Sequence, residues 1–447
     1  MAGAAISVSS RIVIVGGGFA GVATVRALER SQKEERLDIT LVSRQNFMLF
    51  TPMLPEAATG SIEARHIVQP LRTAVGSSNG VHRSSMFELG DAIGVDVDRR
   101  AVTVRHPLTH DVRSIEYDEL VLAVGATDST MGVPGVEKFS IPLKSIADAG
   151  CLRDRVVGAL EVAAKTRDLI ERDRLLRFVI VGGNFTGVEL AGELQAFLRS
   201  ILRYYPSIDR AKVAVVLLES SGELLGHLPA KFGKYAASTL RRAGTQLLLD
   251  REVSAVDSHG VELKGGDRVA SATVIWAAGE EPSPLAKQLG IATNSHGAIE
   301  TGGDFAVTAT PHLWALGDCA AVPKPGGGTY APLAQNAIRE GKLLASNLRA
   351  RLRGKPTRNV RYRELGQMAP LGDRCAVAEL PGGSMLTGLP AWTAWRSYYL
   401  MRLPGWNQRA RVALDWTLAM AFRPEIARLP LIENEGSSFG NSHAPSR

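Results

Sequence analysis

Short apolar runs that end in glycine punctuate the first three-quarters of the chain. Arg11-Ile-Val-Ile-Val15 leads straight into Gly16. A short, almost wholly apolar run closed by a turn signal predicts a buried parallel strand. An apolar stripe at helical spacing follows from Ala20 to about Gln32, and a second strand is predicted over Leu37–Val42. Tyr117–Val124 reads as another strand, closed by Gly125, and Leu143–Lys165 as a helix. The opening pattern then returns as Phe178-Val-Ile-Val181, glycines, and a helix from Thr186 to about Tyr204. Lys212–Leu218, Thr273–Ala278 and Leu313–Leu316 are further strands, and a helix begins near Gln335. The second strand–glycine–helix unit starts 166 residues after the first, at Gly182 against Gly16, so the chain carries an internal repeat. Strands alternating with helices predict an α/β fold of doubly wound parallel sheets.

Length and charge refine this picture. A chain of 447 residues exceeds one compact core and suits two or three domains. The net charge of +7 is unevenly spread: Arg349, Arg351, Arg353, Lys355, Arg358, Arg361 and Arg363 form a run without an acid. Arg396, Arg402, Arg409 and Arg411 form a second basic set. Such surface suits anionic lipid or nucleic acid, and the first run reads equally as a solvated linker. No nucleic-acid-binding module accompanies the arginines, so nucleic acid is not expected as a partner. Three well-separated cysteines without a CxxC spacing suit a reducing compartment. Neither a secretory leader in Met1–Ser10 nor an apolar run of about 18 residues is evident. No His/Cys/Asp spacing suggests a metal site.

The glycines carry chemistry. Gly16-Gly17-Gly18-Phe19-Ala20-Gly21 fits GxGxxG between a strand and a helix. Gly16 makes the tight turn, Gly18 lets backbone approach a pyrophosphate, and Gly21 allows close helix packing. The helix N-terminus, with Phe19 and Ala20, favours the anion. The carboxylate that usually binds a ribose, about 20 residues on, is replaced by Ser43 followed by Arg44. The second site reads Gly182-Gly183-Asn184-Phe185-Thr186-Gly187, with Asn184 in place of the second glycine. An Asn side chain there is expected to crowd a pyrophosphate. The next strand ends in Glu219, a carboxylate that accepts ribose hydroxyls and repels a 2′-phosphate, favouring NADH over NADPH. A surface strand-end acid is the plainer reading of Glu219. Apolar strands also end at Gly125, Gly279 and Gly317-Asp318, the last placing a carboxylate where a flavin's ribityl or phosphate portion is expected.

These motifs resemble the two-dinucleotide-binding-domain flavoproteins, of the pyridine nucleotide-disulfide oxidoreductase kind. Within them the chain is similar to type II NADH dehydrogenases, which are NADH:quinone oxidoreductases. Four segments carry the likeness: the loop Asn46–Gly60, which includes Pro52; Thr186-Gly-Val-Glu-Leu-Ala-Gly-Glu193; Ala334-Gln335-Asn336-Ala337; and the Trp/Arg-rich tail. The family's second glutamine, four residues after Gln335, is Arg339 here.

The resemblance implies an NADH domain (151–284) inserted into an FAD domain (1–150 and 285–350). A C-terminal amphipathic helical, membrane-docking region (351–432) and a disordered tail (433–447) would follow. It implies FAD as cofactor, NADH as donor and a membrane quinone as acceptor, with no proton pumping. Glu189 would sit at the flavin–nicotinamide junction, orienting the cofactor or relaying a proton; the plainer reading is a helix N-terminal acid favoured by the dipole. Gln335 would bind a quinone carbonyl at the flavin edge, or simply cap local backbone. Trp392, Trp395 and Tyr399, and then Val412, Trp416 and Ala419, form apolar helix faces bordered by arginines, which suits a membrane interface. The same faces suit a packed helical hairpin or a homodimer contact. A peripheral protein on the cytoplasmic face of the cell membrane is the expected setting. Three rivals stay open: a sulfide:quinone oxidoreductase using Cys151 and Cys375, a flavin-bearing module with a degenerate nucleotide site, and a soluble ferredoxin or rubredoxin reductase.

Overall fold

The computed structural model describes residues 10–30, 37–76, 85–362, 366–380, 382–403 and 405–428. The expected tail and Arg363 lie outside them. The chain divides into two units, one of Met1–Leu49, Gln69–Thr127 and Glu280–Glu364, the other of Phe50–Val68, Asp128–Gly279 and Leu365–Arg447.

The first unit is built on a five-stranded parallel sheet. Its order is Leu313–Ala315, Glu119–Leu122, Ser10–Val15, Leu37–Ser43 and Ser85–Leu89. Ser10–Val15 is the central strand, with Val15 opposite Val42 on one side and Leu122 on the other. Side chains alternate across it: Ile12 and Ile14 enter one apolar cluster, Val13 and Val15 another. A strand buried on both faces reads as a continuous apolar run, which is why Ile-Val-Ile-Val gives it away. The helices Phe19–Glu29 and Ala334–Leu352 pack together on one face, where Gly341 approaches the backbone of Ala20 and Thr24.

The second unit repeats the plan. Its parallel sheet runs Ser140–Pro142, Thr273–Trp276, Arg177–Val181, Ala214–Leu218 and Gln246–Leu248. Phe185–Ile201 follows the central strand, as Phe19–Glu29 does in the first unit. The expected helix from Leu143 begins instead at Ile146 and ends at Ala163, because Ser145 and Asp148 form a reciprocal capping box. Phe50–Val68 belongs to this unit: its helix Leu54–Thr59 packs on Ile146–Ala163 and Phe185–Ile201. The C-terminal segment adds a three-stranded antiparallel sheet, Met368–Pro370, Ala376–Glu379 and Met385–Thr387, then the helices Gly388–Arg402 and Trp406–Ala421. No helix among the described residues is long and apolar enough to cross a membrane.

Candidate functional site

In the first unit the glycine turn sits at the end of the central strand. Gly16 holds φ at +119°, donates its N–H to the Val42 carbonyl (2.8 Å), and has no room for a Cβ, which would collide with the carbonyl of Ala123. A Cβ on Gly21 would strike the Gly16 carbonyl, so the helix is pressed onto its own turn. Gly18 differs: it precedes Phe19–Glu29 and faces open space, with no heavy atom within 4 Å of a Cβ position. No side chain among the described residues caps this helix, and its first turn carries no acid. A helix start with no side-chain cap and no acid suits an anion, and the backbone at Gly18 can be approached closely. These are the properties a resident dinucleotide needs, so the residues fit the pyrophosphate of FAD.

Several expected residues gather around this turn. A Cβ on Gly17 would lie 2.7 Å from Ser43 Oγ, which puts Ser43 at the edge of the turn, with exposed Arg44 beyond it. Gly317, at φ +71°, abuts Ala20 and donates its N–H to Glu340 Oε2 (2.7 Å). Half-buried Asp318 follows in the same short turn. Gly125 adopts φ +69° and its carbonyl accepts the Ser283 N–H at 2.9 Å. Ala334 and Gln335 open the Ala334–Leu352 helix, where buried Asn336 ties the preceding loop through the Ala331 carbonyl (2.9 Å). Arg339 lies over the Tyr362 ring, which stacks on Tyr330 at 4.1 Å.

Glu340 escapes sequence reading. Buried on the Ala334–Leu352 helix, it accepts both the Gly317 N–H and the Tyr362 hydroxyl (2.8 Å). It therefore fixes the Gly-Asp turn, and burial raises its pKa. The spacing from Asp318 gives no hint of this contact; only the fold brings the two together.

The second unit has its own turn with the same backbone. Gly182 holds φ at +111° and donates to the Leu218 carbonyl at 2.8 Å, and a Cβ on Gly187 would strike the Gly182 carbonyl. Asn184 takes φ −75° and ψ −172°, close to Gly18 at −83° and −165°. Its side chain does not crowd the turn mouth as expected. Oδ1 accepts the Gly187 N–H (3.1 Å) and Nδ2 donates to the Ala277 carbonyl (2.7 Å), so the amide folds back as a helix cap. Glu219 ends its strand beside Gly183 and accepts N–H bonds from Gly183 (2.6 Å) and Ser221 (2.8 Å), and hydroxyl bonds from Ser220 and Ser221. Burial works against its ionisation, but the bonds from Ser221, Gly183 and Ser220 outweigh it and hold the pKa below the ordinary value. Gly279, at φ +74°, lies against Met131 and the Ser129 carbonyl. Thr186 is on the first turn of Phe185–Ile201.

Glu189 is one turn further along than a dipole-favoured acid. The first turn of its helix holds no acid, and Glu189 is buried, at 8% exposure. Burial, then repulsion from Glu56 and Glu193, raises its pKa well above the carboxyl range. Glu56, from Leu54–Thr59, is raised to about 8 by burial and by Glu193, against the pull of Arg396. Glu193 is raised to about 7, chiefly by burial. Pro52 lies in the short turn Thr51–Met53 just before Leu54–Thr59, and Phe50 meets the Tyr399 ring edge-on at 5.9 Å. In sequence Glu56 and Glu193 stand only as parts of motifs and Arg396 as part of a basic set.

The two C-terminal helices bury part of the apolar face that suits a membrane interface or a packed hairpin; Trp392 and Tyr399 are half-buried and Ala419 is exposed. Trp395, Val412 and Trp416 are 1%, 0% and 5% exposed. Trp416 Nε1–H donates to Glu56 Oε2 at 3.3 Å, and neighbouring Asp415 accepts from the Glu63 N–H and meets His66 Nδ1 at 2.6 Å. The packed-hairpin reading therefore describes that face. The same two helices and their flanks expose Met401, Trp406, Leu414, Leu418, Met420 and Phe422.

Comparison with known proteins agrees with this architecture. Residues 10–341 match the model of the pyridine nucleotide-disulphide oxidoreductase family, and residues 365–423 that of the NDH2 C-terminal domain. The type II NADH:quinone oxidoreductase Ndh of Mycobacterium tuberculosis is 32% identical over 420 residues, covering 91% of this chain and 87% of that protein. The external alternative NADH-ubiquinone oxidoreductase of Yarrowia lipolytica mitochondria is 29% identical, covering 93% and 80%. The fold matches that of NDH2 from Plasmodium falciparum in complex with NADH, with a TM-score of 0.86 at 19% identity, over 94% of this chain and all of that one. The sulfide:quinone oxidoreductase of Aquifex aeolicus shares the fold less closely, with a TM-score of 0.65 at 19% identity, over 90% and 92% of the two chains. Twin glycine turns, a matching C-terminal domain and this sequence identity place the chain in the type II NADH:quinone oxidoreductase family.

Proposed function

We propose that the protein oxidises NADH at the Gly182–Gly187 turn, passes the hydride to FAD held at the Gly16–Gly21 turn, and delivers the electrons to a membrane quinone without pumping protons. One observation carries the reading: the chain has two turns of the same backbone, one bare at its second glycine position and one self-capped beside a carboxylate. Bound FAD supplies the two-electron chemistry. The chain's own residues bind, orient and exclude water. In the first unit Gly18, Phe19 and Ala20 offer N–H groups to the pyrophosphate, Ser43 and Arg44 face the adenosine end, and Gly125, Gly317 and Asp318 line the ribityl side. In the second, Gly182, Asn184, Thr186 and Gly187 receive the NADH pyrophosphate and Glu219 its ribose hydroxyls. Glu189 orients the nicotinamide or holds a proton, and Gln335 with Ala334 contacts the quinone.

We place the protein on an anionic lipid surface at the cytoplasmic side of the cell membrane, where NADH is available. The support is the exposed Trp406, Leu414, Leu418 and Phe422 face, flanked by Arg402, Arg411 and Arg423. A homodimer contact is the competing use of that face, and sedimentation of the lipid-free protein separates the two.

A sulfide-oxidising reaction would need Cys151 and Cys375. Cys375 instead meets the Tyr235 hydroxyl at 3.4 Å, and neither cysteine is in a disulfide. The test is turnover of the Cys151→Ser, Cys375→Ser double variant with a short-chain quinone. NADH oxidation persisting near the wild-type rate supports the proposal; sulfide-driven quinone reduction that disappears in the variant overturns it.

A further inference from the structure

The end of the first basic run is fastened down, although its charge suits a solvated linker. Asn347, buried on the Ala334–Leu352 helix, accepts the Arg358 N–H at 3.0 Å and donates to the Arg358 carbonyl at 2.9 Å. The Thr357 hydroxyl donates to Asp304 Oδ2 at 2.6 Å, and the Val360 N–H to the Gly303 carbonyl at 2.7 Å. Tyr362 follows. Its N–H donates to the Tyr330 hydroxyl (3.3 Å), and its ring stacks on that of Tyr330 with the planes 15° apart. Lys324 lies 5.5 Å from the centroid of the Tyr330 ring and Arg339 5.6 Å from that of Tyr362, so each ring of the stack carries a cation.

One carboxylate joins this stack to the Gly-Asp turn. Glu340 stands two helical turns before Asn347, on the same face of Ala334–Leu352. Buried at 3% exposure, it uses both oxygens: Oε1 accepts the Tyr362 hydroxyl (2.8 Å) and Oε2 the Gly317 N–H (2.7 Å). A buried carboxylate that loses one of two donors must turn, protonate or stay under-satisfied. Any of these loosens its hold on Gly317, which sits against Ala20 at the start of the Phe19–Glu29 helix.

We propose that residues 357–362 are a strap that retains the flavin: Tyr362, stacked on Tyr330 and faced by Arg339, positions Glu340, and Glu340 positions the Gly317-Asp318 turn. The proposal rests on the placement of FAD at that turn given above. Tyr362 and Glu340 are positioning residues, acting on the flavin only through Gly317 and Asp318. Arg339, where the family resemblance puts a second glutamine, braces the stack with its guanidinium.

The test is the rate of FAD release from the purified holoenzyme, followed by free-flavin fluorescence after dilution, together with the visible circular dichroism of the bound flavin. Tyr362→Phe removes one oxygen and keeps the stack; it should speed release about tenfold, the worth of one hydrogen bond to a carboxylate. Glu340→Met fills the same space without an acceptor, and should speed release at least as much and alter the dichroism. Glu340→Gln keeps an acceptor for Gly317 and a polar partner for Tyr362, and should bring release back to within about threefold of the wild type. Packing alone would make the Met and Gln variants equivalent. Arg339→Gln should have the smallest effect, about twofold. Should Glu340→Met fail to fold, Tyr362→Phe decides the matter. Release that Tyr362→Phe leaves unchanged, or Met and Gln variants that behave alike, overturns the proposal. Asp318→Asn separates the strap from the flavin placement. Faster release in Asp318→Asn but not in Tyr362→Phe sinks the strap alone, whereas unchanged release in Asp318→Asn sinks the placement of the flavin and the strap with it.

Discussion

The two glycine turns share a backbone and differ in what they leave open. Each begins with a glycine at a φ only glycine adopts easily, +119° at Gly16 and +111° at Gly182, and each packs its third glycine onto the first carbonyl. At the second glycine position the dihedral angles agree within about 10° in both φ and ψ. The side chains part company there. Gly18 supplies no side-chain cap, whereas Asn184 caps its own helix and bonds the Ala277 carbonyl. At the strand end, Ser43 faces Gly17 where Glu219 faces Gly183. A bare terminus suits a ligand that stays; a terminus partly satisfied by its own amide suits one that comes and goes. The lesson is that the second glycine of the motif serves ligand approach, not backbone geometry, since an Asn holds the same conformation.

The sharpest way to break this comparison is to remove the shared element. Gly16→Ala puts a Cβ into the Ala123 carbonyl at a strained φ, with a cost of about 3 kcal/mol or more. We expect loss of bound flavin and a lowered melting temperature, read from the flavin-to-protein absorbance ratio and a thermal scan; flavin retained at full occupancy would show that the first turn does not hold it. Glu219→Gln tests the strand-end difference. Replacing a charged acceptor by a neutral one costs about 1.5 kcal/mol, so KM for NADH should rise roughly tenfold and the preference over NADPH should relax, with flavin content unchanged. A variant with unaltered nucleotide preference would reduce Glu219 to a loop-tying acid.

Asn184→Gly sharpens the comparison by making the second turn like the first. As an N-cap change it costs only about a few tenths of a kcal/mol. It should lower KM for NADH a few-fold and slow product release, which pre-steady-state kinetics would resolve; a raised KM would mean that the amide itself binds the nucleotide. The smallest effect is in pH. Because the Glu219 pKa is depressed in the folded protein, its stabilising contribution is present above the ordinary carboxyl pKa and fades as pH falls through the depressed value. NADH binding should therefore weaken at the acid end before flavin is lost, as the first turn has Ser43 and no such titration. Simultaneous loss of both ligands would contradict this.

The same contrast explains how much was readable from sequence. Buried central strands and glycine turns are local: Ile-Val-Ile-Val before Gly16 and Phe-Val-Ile-Val before Gly182 declare both sheets without any long-range information. Ser43 and Glu219 follow from counting along the next strand. Glu340 and the group of Glu56, Glu193 and Arg396 do not, because their partners come from distant segments that only packing unites. Glu56 meets Trp416 across 360 residues of chain. The helix Ala230–Ala243 carries local signals of its own, with Pro229 before it and Gly244 closing it in the left-handed region. The C-terminal helices follow the same rule: Trp416 looks like an interface aromatic until Glu56 and Arg396 give it a buried polar partner.

The most direct test of the account is an anaerobic rapid mix of the purified protein with NADH, following the oxidised flavin band, with and without Glu219→Gln. The account predicts prompt bleaching in the wild type, reversed by a short-chain quinone, and bleaching in the variant that needs more NADH to reach the same rate. Flavin that stays oxidised in the wild type would mean that the second turn does not deliver a hydride, and the account would fail at its centre.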